Sequence, residues 1–98
     1  MWLLVLFDLP TMTDVVSKAA TRFRNALLRL GFERMQLSVY ARRCPGLMET
    51  MMGEVRRVLP VEGDVSIIAL TDLQFAGITR LRGGFSVIFE AQKRLICF

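Results

Sequence analysis

The first candidate for chemistry is Asp8, which directly follows the apolar run Trp2 to Phe7 (WLLVLF). An ionised carboxylate in that place is costly unless it meets water, a cation or a hydrogen-bond donor. Position alone leaves its role open: Asp8 either starts the turn through Leu9 and Pro10, helps cap the following helix, or faces a ligand at a strand end. One acid is a thin metal site, but a two-fold dimer would turn it into a pair. Two carboxylates can hold a divalent cation that activates water against a phosphodiester. Asp14 reads as a first-turn helix residue complementing the helix dipole, and Asp72 as a turn residue ending a strand. The chain has no histidine, which excludes Ser–His and Cys–His catalysis. Its cysteines, Cys44 and Cys97, are far apart and outside any CxxC, so they read as free thiols and give no zinc site.

Arginine dominates the remaining charge. Thirteen basic against nine acidic residues leave +4, and only Lys18 and Lys93 are lysines. The guanidinium fork suits phosphate oxygens, although each arginine taken singly fits a solvated face equally well. Arg22, Arg24 and Arg29 fall on one helical segment, Arg34, Arg42 and Arg43 around the middle strands, Arg56 and Arg57 on a second helix, and Arg80 and Arg82 near the end. None of these groups is a recognition motif, so a nucleic-acid partner would be gripped through phosphates with little base readout. Tyr40, the one tyrosine, could face such a substrate or pack at an interface.

The elements that must position these residues follow from hydrophobic periodicity. WLLVLF suits a central strand buried on both faces. From Thr13, an N-cap candidate, apolar residues recur every three or four positions to Leu30, and Gly31 closes this amphipathic helix. Met35 to Arg42 alternates as a half-buried strand or as a hairpin with a tight break. After Cys44-Pro45-Gly46 a second helical stripe runs from Leu47 to Leu59, with Met48, Met51 and Met52 as core packing and Pro60 as its stop. Val65 to Thr71 is a β-branched run that predicts another interior strand. Gly77 to Leu81 and Phe85 to Phe89 are short strand candidates separated by the Gly83-Gly84 hinge.

The 98 residues make one domain, and 53% hydrophobic residues exclude a disordered chain. No apolar run approaches the roughly 20 residues of a membrane span, and no basic region precedes the first one, so the expected location is cytoplasmic. Strand, helix, hairpin, helix, strand predicts an α+β, ferredoxin-like βαββαβ sandwich over residues 1–82, with 83–98 as a C-terminal extension carrying additional strand. Two helices cover only one sheet face. The expectation is a homodimer, with a second copy on the other face and the C-terminal strand pairing across the dimer.

Three segments taken together resemble the CRISPR-associated protein 2 family: Val5-Leu6-Phe7-Asp8-Leu9-Pro10, then Gly31-Phe32-Glu33-Arg34-Met35-Gln36-Leu37-Ser38-Val39-Tyr40, then Thr71-Asp72-Leu73-Gln74-Phe75. The resemblance spans residues 1–82 and is most similar to members accompanying type II systems. It implies a ferredoxin-like homodimer that works with the CRISPR integrase, the CRISPR-associated protein 1 family, in capturing foreign DNA and inserting it as spacers. It further implies Mg²⁺-dependent endonuclease activity on single-stranded RNA or duplex DNA, with Asp8 as catalytic metal ligand and Arg34 and Tyr40 linked to nuclease function. Tyr40 stands where other members carry Phe. Arg22, Arg24, Arg42 and Arg43 complete the candidate nucleic-acid contacts. The alternative is a non-catalytic dimeric scaffold that holds duplex DNA and bridges integrase subunits; the absence of a second acidic residue beside Asp8 and of any histidine base favours it. A small ligand-binding regulator of the same fold lacks a phosphate or metal loop here.

Overall fold

The structure, a computed structural model, describes residues 1–10, 14–46 and 48–83. Seven elements follow in order: β1 (Trp2–Asp8), α1 (Asp14–Arg29), β2 (Glu33–Gln36), β3 (Val39–Arg43), α2 (Met48–Arg57), β4 (Asp64–Leu70) and α3 (Asp72–Ala76). The four strands form one antiparallel sheet in the order β2-β3-β1-β4, an α+β arrangement consistent with the ferredoxin-like βαββαβ pattern.

β1 lies in the interior of the sheet, as its uninterrupted apolar sequence predicts, with Leu3, Leu4, Val5 and Phe7 all buried. Strand alternation divides its side chains. Leu3, Val5 and Phe7 meet Phe23 and Leu27 of α1, Val55 of α2 and Tyr40 of β3 in one core. Trp2, Leu4, Leu6 and Asp8 therefore point to the second face, opposite α1 and α2. Ile68, 43% exposed, and half-buried Leu70 lie beside them through the pairs Leu4↔Ile68 and Trp2↔Leu70.

α1 ends through backbone chemistry at Gly31. The Phe32 amide donates to the Leu27 carbonyl and the Gly31 amide to the Leu28 carbonyl, both at 3.0 Å, while Gly31 holds φ +91°. This pairing satisfies the last carbonyls of the helix and needs a residue without a Cβ penalty. Phe32 and Leu27 then pack in the same core.

One open alternative is decided and three expectations change. Met35 to Arg42 is a hairpin, with Leu37 and Ser38 as its turn and an extra residue at Met35, since Arg34 pairs with Tyr40 but Gln36 with Val39. Among the described residues β4 pairs with β1 alone and so stands at the edge of the sheet, where an interior strand was expected; β-branched residues specify extended backbone but not place. Thr71 and Asp72 open α3 instead of a turn, because Thr71 Oγ1 accepts from the Gln74 amide at 3.0 Å and Gln74 Oε1 from the Thr71 amide at 2.9 Å. Gly77 to Leu81 contains no strand. The Thr13 cap, Leu47 and Phe85 to Phe89 lie outside the described residues, as do Gly84 of the hinge and Cys97. Cys44 is a buried free thiol. Among the described residues no helix is long and apolar enough to cross a membrane.

Candidate functional site

Asp8 sits at the carboxyl end of β1, exposed, on the second face of the sheet. The antiparallel register places Asp64, the first residue of β4, directly opposite it. Residues so paired project to the same side with Cβ atoms about 4.5–5.5 Å apart, so two carboxylates stand together within one chain. A shallow pocket of about 340 Å³ receives both and is lined further by Leu6, Ser38, Val39 and Ser66. This corrects the expectation that Asp8 has no acidic neighbour. Gly63 makes the approach possible: at φ +107° a Cβ there would lie 2.9 Å from the Asp8 carbonyl oxygen and 2.5 Å from Leu9 Cδ2.

The donors are carboxylates and hydroxyls, hard oxygen ligands of the kind Mg²⁺ takes, usually one or two carboxylates with the remaining positions left to water and phosphate. Among the described residues, no group of three or more His, Cys, Asp and Glu side chains gathers as a ready metal cage. The fit is to an open, partly hydrated ion.

Beyond the β2–β3 turn lies a second concavity of opposite charge. Arg34, Arg80 and Arg82 line a cleft of about 510 Å³ with Met35, Gln36, Leu37, Leu81 and Gly83. The Arg80 guanidinium donates to the Met35 carbonyl, which fastens the segment after α3 to β2. Leu37 borders this cleft and Ser38 borders the carboxylate pocket, so one two-residue turn separates them.

The other sequence candidates lie elsewhere. Tyr40 is 2% exposed with its ring 5.7 Å from that of Phe7; the structure places it in the core, where it has no surface to offer a nucleic acid, because it faces α1 from the centre of the sheet. Arg24 is half-buried, its Nε donating to the Leu37 carbonyl at 3.3 Å and its guanidinium 5.6 Å from the Phe7 ring centroid. Arg22 is exposed on α1 beside Val58 to Val61. Arg42 is half-buried against Gly31 and Cys44. Arg43 pairs with Asp72 at 3.8 Å and is opposite Trp2, six residues along β1 from Asp8, or about 20 Å at strand rise. The structure thus brings Arg34 to the arginine cleft and Arg24 to the turn, and leaves Arg22, Arg42 and Arg43 apart from both.

A comparison with known families decides the wider identity. The family model described as CRISPR associated protein Cas2 matches residues 1–78. This chain belongs to the Cas2 family. Its relatives include the CRISPR-associated endoribonuclease Cas2 of Paracidovorax avenae, 47% identical over 77 residues, covering 76% of this chain and 71% of the relative. The protein of the same name from Parvibaculum lavamentivorans is 42% identical over 80 residues, 80% of this chain and 79% of the relative. CRISPR-associated endoribonuclease Cas2 2 of Rhodospirillum rubrum is 44% identical over 89 residues, 87% and 79% respectively. The match to the Cas2 model takes in Asp8, Asp64 and Arg34 but stops short of Arg80 and Arg82. Sequence reasoning missed Asp64, whose one local signal is Gly63-Asp64 ahead of a β-branched run, and it did not join Arg80 and Arg82 to Arg34.

Proposed function

We propose that this chain acts as a homodimeric, Mg²⁺-dependent nuclease on phosphodiesters, single-stranded RNA before duplex DNA. The observation that carries this reading is the Asp8–Asp64 register pair, with an arginine cleft one turn away. The relatives' name, endoribonuclease, agrees with it.

Arg34, Arg80 and Arg82 would hold phosphates flanking the scissile one, and Asp8 and Asp64 would hold the ion with Ser38 and Ser66 at its rim. When bound, Mg²⁺ supplies Lewis acidity at a phosphate oxygen and lowers the pKa of an attacking water. The guanidinium groups orient the strand and offset its charge, while the carboxylates accept hydrogen bonds from water at the pocket. Dimerisation through the second face would cover Leu6, Ile68 and Leu70 and bring two Asp8–Asp64 pairs toward a common boundary.

A second role, holding duplex DNA for an integrase of the CRISPR-associated protein 1 family during spacer acquisition, draws on a separate observation. Arg22 and Arg43 are exposed on surfaces away from the cleft, Arg43 about 20 Å from Asp8, which is more basic surface than a short single strand uses.

The test is cleavage of single-stranded RNA and duplex DNA with Mg²⁺ by the wild-type chain, Asp8→Ala and Asp64→Asn at matched dimer content. Metal-dependent cutting that falls at least about a hundredfold in both variants is expected. Equal cutting in all three, or none in any, refutes the nuclease reading; equal spacer integration by the same samples with an integrase would then leave the scaffold role.

A further inference from the structure

We propose that Arg24 is a positioning residue: it locks the Leu37–Ser38 turn against the Asp8 end of β1 and so fixes the distance between the arginine cleft and the carboxylate pair. This rests on the nuclease reading above.

Among the described residues the turn's own side chains do little to hold it. Leu37, its apolar residue, is 60% exposed and gains little from burial, and the extra residue at Met35 interrupts the ladder just before it. Its two carbonyls are instead tied from two different elements. Leu37 O accepts from Arg24 Nε of α1 at 3.3 Å, and Ser38 O accepts from the Phe7 amide of β1 at 3.1 Å. Phe7 directly precedes Asp8, and its ring is itself fixed, edge-on to Phe23 at 5.1 Å. The Arg24 guanidinium lies over that same ring. One side chain therefore grips the turn with its Nε and rests its charged plane on the residue that orients Asp8.

Arginine suits this task better than lysine. Its planar group can stack on an aromatic face while one edge donates in a fixed direction, whereas an ammonium on a flexible stem does not hold both geometries at once. A phosphate-contacting role makes the opposite demand, because charge alone would largely satisfy it.

Arg24→Lys and Arg24→Gln separate the two. Expected in both variants are a kcat on single-stranded RNA reduced about tenfold with KM within about twofold, an unchanged salt slope of RNA binding, and exchange of the Phe7 amide roughly fivefold faster. The proposal is overturned if Arg24→Lys keeps wild-type kcat while Arg24→Gln lowers the salt slope, which is the signature of a phosphate contact. It is also overturned if Phe7 exchange is unchanged in both variants. Should the wild-type chain show no metal-dependent cleavage, the nuclease reading fails by itself, and Phe7 exchange still decides whether Arg24 holds the turn.

Discussion

Replacing Gly63 by alanine tests how closely β4 must approach the Asp8 end of β1. Gly63 holds φ +107°, outside the conformations that L-residues adopt at low cost. The backbone penalty is on the order of 1–2 kcal/mol. The new methyl would also stand 2.9 Å from the Asp8 carbonyl oxygen and 3.2 Å from Leu9 Cα, backbone atoms that move only if the end of β1 moves. The 2.5 Å contact with Leu9 Cδ2 is relieved by a rotamer change and adds less. Together these give a loss of about 2–3 kcal/mol, tolerable for a domain of ordinary stability. In urea, with a slope of about 1–1.5 kcal/mol/M for a small domain, the midpoint should fall by on the order of 2 M without a change in slope. Protomer concentration is held fixed, because association would otherwise contribute to the shift. Gly53→Ala is the matched control: Gly53 lies inside α2, nothing stands within 4 Å of its added Cβ, and a gain of about 1 kcal/mol is expected from helix propensity. A Gly63→Ala chain as stable as wild type, or Gly53→Ala as damaging as Gly63→Ala, would refute the argument from close approach. A folded Gly63→Ala chain should also cleave more slowly than wild type, since the strain falls on the carbonyl of Asp8 itself.

Removing Arg80 and Arg82 together with alanine should lower the salt slope of single-stranded RNA binding by about 1.4, two phosphates at roughly 0.7 each, while Arg43→Ala leaves that slope unchanged. Titrations of each variant between low and moderate salt read this directly, and a double variant with the wild-type slope would remove the cleft from the binding surface. Phe75→Ala should red-shift the intrinsic fluorescence of Trp2, the one tryptophan, because the stacked Phe75 ring 3.8 Å away shields it from water. An unshifted spectrum would mean that α3 does not cover the start of β1.

What the sequence made legible is what depends on short-range pattern. β1 announces itself as six consecutive apolar residues, and α1 as a stripe of three- and four-residue spacings stopped by a glycine whose φ is positive. α3 was equally local: Thr71-Asp72-Leu73-Gln74 carries the capping-box spacing, but the helix it starts is only five residues long and has no apolar periodicity to support it. The carboxylate pair belongs to a different class of information. Asp8 and Asp64 are 56 positions apart, and a shift of one residue in the β1–β4 register would turn Asp64 to the other face. Register is set by seven pairings along both strands, which no window of sequence contains. The burial of Tyr40 was hidden for a related reason, since alternation identifies which residues share a face but not which face the helices cover.

The charges at the two concavities are not balanced by one another. Among the described residues the side-chain ion pairs are Arg43 with Asp72 and Arg57 with Glu54, both exposed and each worth little to stability. Asp8, Asp64, Arg34, Arg80 and Arg82 form no ion pair with one another, although one turn separates the two groups. Direct pairing would satisfy both signs and leave nothing for a ligand. The turn residues Leu37 and Ser38 lie between the two groups, so that like charges line each concavity. On the proposed function, a cation between the carboxylates and a phosphate between the guanidinium groups would offset the like charges, and a phosphodiester strand carrying its divalent counter-ion would bring the two together. On the proposed reading the turn is therefore a spacer as much as a connection, which is why its position relative to Asp8, and not the mere presence of the arginines, should govern the rate of cleavage.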